Sequence, residues 1–284
     1  MKLHTIETGF FKLDGGAMFG VVPKTIWQKL NQPDADNLCT WAMRCLLVET
    51  DDNRLVLIDT GIGNKQSEKF FGHYQPHGAA SLQGSLAALG YSPNDITDVL
   101  LTHLHFDHVG GAVQRNEVGQ LAATFPNAVY WSNEAHWQAA IQPNAREKAS
   151  FLPENFVPLQ QSGCLQMAVE GQEVAKGLSV KFVYGHTHAM MLPHIALPNG
   201  KELVYLADLA PSIAHLRIPF VMAYDTQPLI SLREKESYFQ TAANKNSVLF
   251  FEHDPQTECA LMTCDEQGKP IVAQAGTLAD LLGQ

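Results

Sequence analysis

The chain has 284 residues, 45% of them apolar and 17% charged, which suffices for a full buried core and excludes a disordered or collagen-like polymer. With 19 Lys and Arg against 29 Asp and Glu, the formal charge is −10, a field that repels phosphate backbones and argues against nucleic acid as a partner. No apolar run reaches the ~18 residues that a membrane span requires. Glu7 and Asp14 interrupt the stretch that a secretory leader would keep apolar, so the expected location is cytoplasmic. The five cysteines, Cys39, Cys45, Cys164, Cys259 and Cys264, are odd in number and scattered, as buried thiols are and a disulfide framework is not.

In chain order, residues 41–50 and 54–59 read as β-rich runs joined by a hairpin at Asp51, Asp52 and Asn53. Residues 80–89 have helical spacing and stop at Gly90, and Ser92 with Pro93 predicts a short turn of helix. The apolar run 99–102 reads as a buried strand, as does 128–132, after which Ser132 caps a helix starting near Glu134. Residues 178–183 form another strand, and Asn199-Gly200 marks a tight turn into 202–208. Ser231 and Glu234 make an S-x-x-E capping box for a helix running to about Asn244, followed by a strand at 248–253. Strands and helices interleave with no Gly, Pro or Ser linker, the pattern of one α/β domain.

The decisive segment is LLTHLHFDHVGG, residues 100–111, which sets His103, His105, Asp107 and His108 within six positions at the end of a buried strand. Imidazole nitrogens and carboxylate oxygens are the donors a divalent zinc takes, and they must converge from a rigid loop or from several loop tips. Alternate residues His103 and His105 project to one side of an extended chain, and Asp107 and His108 follow where it turns, aimed at a second position close by.

This H-x-H-x-D-H run resembles the signature of the metallo-β-lactamase superfamily, and further motifs follow in the family's order. Asp59 in LIDTG, His186 in YGHTH, Asp208 in YLADL and His253 in FFEHD match its aspartates and later histidines. The likeness spans about residues 10–255. The stretches at 13–29 and 206–215, with THLHFDHVGG, resemble YtnP-type quorum-quenching lactonases, and more distantly the N-acyl-homoserine lactone lactonases and the methyl parathion hydrolase group. The resemblance implies one domain over residues 1–284 with an αβ/βα four-layer sandwich, two mixed β-sheets flanked by helices. Residues 1–40 would serve as a lid or as a segment joining a homodimer.

The resemblance also implies two divalent ions, one held by His103, His105 and His186, the other by Asp107, His108 and His253, with Asp208 bridging. Zinc suits the N/O donors, and iron, manganese or cobalt fit the same set. A hydroxide bridging the ions would attack the carbonyl of a small ester or lactone, N-acyl-homoserine lactones included, with phosphotriester hydrolysis as a side activity. Asp107 is the family's candidate proton donor to the leaving alkoxide. Asp59 either fixes a ligand histidine from behind or caps its own Thr-Gly-Ile-Gly turn. His188, where relatives carry proline or aspartate, is expected beside the ligands or in the pocket. Where the homoserine lactone lactonases place a tyrosine, three residues after the bridging aspartate, this chain has Pro211.

Phe106 inside the motif, with Met18, Phe19 and Trp27 from the N-terminal stretch, reads as an apolar wall for an acyl or aryl group, or equally as ordinary core. His215 and Arg217 are further pocket candidates. Among rival activities of the same superfamily, a nuclease is disfavoured by charge. A diiron flavoprotein is disfavoured by His105 and by the lack of a second domain. A glyoxalase II-like thioesterase uses the same ligand set and is the serious alternative, although TLADLLGQ, at the end of the chain, is shorter and more acidic than its glutathione-binding tail. A sulfur dioxygenase would need a single iron, which the full second ligand set argues against. A non-catalytic metal-binding protein is disfavoured by the intact ligands. No G-x-S-x-G elbow and no nucleotide fingerprint is present.

Overall fold

The computed structural model describes residues 1–283. Two mixed sheets form, as the interleaved pattern predicts. The first is six-stranded, in the order Lys2–Asp14, Leu38–Glu49, Leu55–Ile58, Asp98–Leu100, Val129–Ser132 and Leu165–Met167. Its first three strands pair antiparallel and the rest parallel. The second is seven-stranded, in the order Pro270–Gly276, Cys259–Cys264, Val248–Phe250, Glu202–Tyr205, Met190–Ala196, Leu178–Val183 and Glu173–Ala175. Its one parallel pair, Glu202–Tyr205 with Val248–Phe250, is joined by a chain segment containing the long helix Pro228–Lys245. Among the described residues no helix is long and apolar enough to cross a membrane.

Two-residue alternation decides which side chain goes where. Leu46 and Val48 point into the space between the sheets, where they join Val56, Ile58, Leu192, Leu203 and Leu249 in one core. Their neighbours Cys45 and Leu47 point the other way and pack with Leu86, Trp137 and Leu159 of the helical layer. Phe239, Ala242 and Ala243 of the long helix cover the second sheet. Helices, sheet, sheet and helix make the four layers expected.

Several local expectations need correction. Ser92 and Pro93 make a turn and no helix: the Asp95 carboxylate accepts from the Ser92 amide and hydroxyl and closes the loop on itself. The helix Glu134–Ile141 is capped by Asn133, whose side chain accepts from the His136 amide, one residue later than predicted. The helix placed at Ser231 starts at Pro228, with the proline in its first turn, because Glu234 is engaged elsewhere. The strand predicted over 248–253 ends at Phe250.

The N-terminal stretch supplies a long edge strand, Lys2–Asp14, and then two short helices, Gly15–Phe19 and Lys24–Trp27, that close over one end of the first sheet. Gly15 permits this contact, since a Cβ there would lie 2.4 Å from the Trp27 ring.

Candidate metal centre

Each predicted ligand lies in a connection that leaves the C-terminal end of a strand, Asp107 and His108 in the one-turn helix Phe106–Val109 and Asp208 in the 3-10 turn Ala207–Leu209, and these connections meet along one edge of the two sheets. The segment Thr102–His108 follows Asp98–Leu100, His186 follows Leu178–Val183, Asp208 follows Glu202–Tyr205, and His253 follows Val248–Phe250. The Gly110-Gly111 pair closing the motif lets two loops touch backbone to backbone. A Cβ on Gly110 would meet the Ile62 carbonyl oxygen at 2.1 Å, and one on Gly111 the Thr60 carbonyl at 2.2 Å. Across this contact Thr60 N–H donates to His108 O at 2.8 Å, which registers the motif against the Asp59 loop.

The side chains form two donor groups. His103, His105, His186 and Asp208 each bring a ligand atom within 4.8 Å of one another, and Asp107, His108 and His253 do the same beside them. Asp208 stands between: Oδ2 lies 3.0 Å from His186 Nε2 and 3.6 Å from His108 Nε2, and Oδ1 lies 3.2 Å from His253 Nε2. All seven are buried.

Proton placement shows what the inner atoms offer. His253 Nδ1 faces the Ala42 carbonyl at 2.7 Å, an oxygen that can only accept, so the proton sits there and Nε2 turns a lone pair inward. His186 Nδ1 is likewise held by Asp225 Oδ1 at 2.9 Å. His108 Nδ1 lies 3.2 Å from Asp59 Oδ2 and 3.0 Å from Glu252 Oε2. His103 Nδ1 meets the Thr102 hydroxyl at 3.1 Å, and that hydroxyl donates to Asp59 Oδ2 at 2.6 Å. Asp59 thus fixes two candidate ligand histidines at once, with its backbone at φ 58°, a conformation costly for a non-glycine residue. His105 Nε2 points to Glu147 Oε1, 3.7 Å away.

With the outer nitrogens protonated, inner lone pairs face each other at 3.2 Å, His105 Nδ1 against His186 Nε2 and His108 Nε2 against His253 Nε2. Such pairs repel unless a cation or proton lies between. His103 Nε2 and Asp208 Oδ1 are buried with no hydrogen-bond partner among the described residues. Burial draws His103 and His105 below the ordinary histidine range, so they present neutral rings. Burial opposes charge on His186 too, yet Asp208 and Asp225 override it and raise the ring to about 10. The field that favours a proton there favours a cation. Donor types, orphaned atoms and field all fit a dinuclear metal centre.

Above the ligands lies a cavity of about 320 Å³. Of the residues predicted for its wall, Met18 and Phe106 line it, joined by Leu13, Met222 and Tyr74. Phe19, Trp27 and His215 do not. Phe19 is sandwiched between the Trp27 ring at 5.3 Å and the His215 ring at 5.1 Å, and His215 is consumed by the Ser212 hydroxyl and the Met18 carbonyl, so this stack backs the wall. Arg217 is exposed over Phe220 and borders a separate cavity with Phe19 and Trp41. His188 is also corrected: its ring is exposed against Tyr184, and its backbone carbonyl, not its imidazole, serves the site by accepting from His136 Nδ1 at 2.7 Å. His136 Nε2 in turn accepts the Leu104 amide at 2.8 Å, bracing the motif loop from below. Pro211 contributes its carbonyl, which accepts from the His253 amide at 3.0 Å.

Sequence reasoning missed Glu147, Asp225 and Glu252 behind the ligands, and Tyr74, Arg146 and Tyr224 on the cavity. Only Glu252 carried a signal, its position beside His253 in FFEHD.

Comparison with known proteins places the fold in a family. Residues 44–253 match the model of the metallo-beta-lactamase superfamily. An N-acyl homoserine lactonase of Bacillus thuringiensis is 23% identical over 270 residues, 90% of this chain and 94% of that protein. A probable metal-dependent hydrolase from Staphylococcus aureus superposes with a TM-score of 0.87 at 30% identity, covering 97% of this chain and 96% of its own. The dizinc quorum-quenching lactonase AidC shares the fold, with a TM-score of 0.76 at 21% identity over 97% of this chain and 95% of its own. The chain therefore belongs to the metallo-beta-lactamase superfamily, as a metallo-hydrolase with paired histidine and aspartate clusters suited to two metal ions.

Proposed function

We propose that this chain hydrolyses a small ester or lactone with two divalent ions, most simply zinc, held by His103, His105 and His186 and by Asp107, His108 and His253, with Asp208 shared. N-acyl-homoserine lactones are one candidate substrate within this class, which would make the protein a quorum-quenching enzyme, and phosphotriester cleavage is a candidate side activity. The observation that carries the reading is the position of Asp208, whose two oxygens serve both donor groups on the floor of an apolar-walled cavity. The name of the Bacillus thuringiensis relative supports the lactone class.

When bound, such an ion pair acidifies water to a nucleophile near neutral pH and polarises a carbonyl oxygen. The chain's own groups do the rest. Met18, Phe106 and Met222 take the apolar arm of the substrate, each buried CH₂ contributing ~0.8 kcal/mol. Asp107 lines the same cavity and can hand a proton to the departing alkoxide. Asp225 and Asp59 keep the ligand rings from turning, and the Glu147 carboxylate faces His105 Nε2 at 3.7 Å.

The test joins metal analysis to a substrate panel. Protein purified without chelator is expected to hold close to two ions, and Asp208→Ala to lose at least one; an unchanged count would remove the bridging role. A panel of acyl-homoserine lactones, aryl esters, glutathione thioesters and phosphotriesters should favour the oxygen esters. Preference for the thioester would instead make the protein a glyoxalase II-like thioesterase.

A further inference from the structure

Tyr224 sits on a loop that is fastened on every side, and yet its phenol has no hydrogen-bond partner among the described residues. Before it, the Ala223 amide donates to the Ala17 carbonyl at 2.8 Å. After it, the Asp225 carboxylate meets His186 Nδ1 at 2.9 Å, and the Thr226 amide donates to the His186 carbonyl at 3.0 Å. Arg146 Nη2 donates to the carbonyls on both sides, Ala223 O and Asp225 O, the second at 2.9 Å. Further back, the buried ammonium of Lys235 donates to the carbonyls of Arg217, Ile218 and Phe220, anchoring the approach to the long helix. The loop is therefore in register with the metal-site residue His186 to within a hydrogen bond.

Between these ties, the Tyr224 ring forms part of the cavity wall and is 39% exposed to it and to solvent. The cavity is the same one whose floor is Asp107, His186, Asp208 and His253. A rigid backbone that sets a phenol in the wall of this cavity is preorganised for a ligand oxygen: the cost of ordering the backbone is met in folding and not on binding.

We propose that Tyr224 is a catalytic residue of the hydrolysis, its phenol donating a hydrogen bond to the substrate oxygen that gains negative charge as the scissile carbonyl becomes tetrahedral. The proposal rests on the ester or lactone reading above and adds to it a specific donor. Burial raises the phenol above its ordinary range, and the nearby Tyr74, Asp14, Asp107 and Asp208 raise it further, so the proton stays on through neutral pH and is there to be donated. Tyr74 is the competing phenol. It ends the short helix Glu68–Tyr74, packs its ring 4.4 Å from Phe106, and has no backbone tie to a metal loop.

The experiment compares Tyr224→Phe and Tyr74→Phe with the unmodified chain, each loaded with metal. Tyr224→Phe keeps the ring and the wall. Removing one such donor lowers kcat by about 10² to 10³ with KM little changed, while metal content and Tm stay at the unmodified value. In parallel, calorimetric affinity for an alkylphosphonate monoester, a stable tetrahedral anion, should fall roughly 100-fold. Equal phosphonate affinity in Tyr224→Phe and the unmodified chain overturns the proposal. So does a loss confined to Tyr74→Phe, or no phosphonate binding by the unmodified chain. The titration decides the donor independently of the panel: a chain that cleaves thioesters and no oxygen ester refutes the earlier reading, while the phosphonate result still stands on its own.

Discussion

Asp225 offers a sharp test of how the centre is held. Its carboxylate is 5% exposed, lies 2.9 Å from His186 Nδ1, and is the only side-chain acceptor on that nitrogen among the described residues. Asp225→Ala leaves a buried N–H unanswered and frees the ring to rotate away from His105 and Asp208. A hydrogen bond to a charged group contributes about 1.5 to 3 kcal/mol, which corresponds to a loss of about 10- to 100-fold in metal affinity. The backbone should stay in place, because Arg146 grips the Ala223 and Asp225 carbonyls and not the side chain. Asp225→Asn keeps an accepting oxygen and loses only the charge, so its effect should fall at or below the lower end, roughly tenfold. Titration of the apo protein against a chromophoric chelator should resolve two binding steps. Only the step belonging to His103, His105 and His186 is expected to weaken, since His253 is held by the Ala42 carbonyl and His108 by Asp59 and Glu252. Two steps weakening together, or neither, would refute the view that each ion is oriented by its own set of outer partners.

Two further predictions concern stability. Arg54→Ala strands Asp98, a carboxylate 2% exposed and 2.9 Å from Arg54 Nε, in the first sheet; Trp131 Nε1 and Thr97 still donate to it, so a loss of about 3 kcal/mol in urea unfolding is expected, and no loss would show the charge to be solvated after the change. Glu202 is drawn down to about 2 by its hydrogen bond from His194, outweighing burial, with Lys245 adding attraction. Because the folded value lies below the ordinary 4.5, this carboxylate stabilises the fold above that pH and the contribution disappears as pH falls through about 2. Glu202→Gln should therefore lower the unfolding midpoint near neutral pH and match the unmodified chain in strong acid; a constant gap across that range would refute the linkage.

The seven candidate ligands were legible because the chemistry is written locally: four lie in six consecutive residues, and the other three sit in short phrases after apolar strands. Asp59 was legible as well, and both of its suggested uses reduce to one, since its carboxylate reaches Thr102 and His108 across the loop contact. The groups that aim the ligands were not. Asp225 is 39 residues from His186, and Glu147 is 42 residues from His105, in stretches with no period or spacing to mark them. Their importance comes from packing alone. The pocket was half legible for the same reason: Met18 and Phe106 face it, whereas Phe19 and Trp27 are equally apolar and spend that surface on each other.

The misplaced helix start shows how a local signal can serve a distant site. Ser231 and Glu234 have the spacing of a capping box, but the Glu234 carboxylate accepts from the amides of Tyr184 and Gly185, at 2.7 and 3.0 Å, in the loop that carries His186. Ser231 stands so close to that loop that a Cβ on Gly185 would meet its hydroxyl at 2.3 Å. Pro228, which needs no amide acceptor in the first turn, begins the helix and releases Glu234 for this use. The Gln227 amide donates back to the Gly185 carbonyl at 2.9 Å, so helix and loop are joined from both sides. What looks like a helix cap in one dimension is therefore the clamp that delivers the third histidine to the centre in three. A carboxylate that close to the His186 loop is better employed there than on its own helix, because the helix already has proline to start it and, among the described residues, no other group accepts from those two amides.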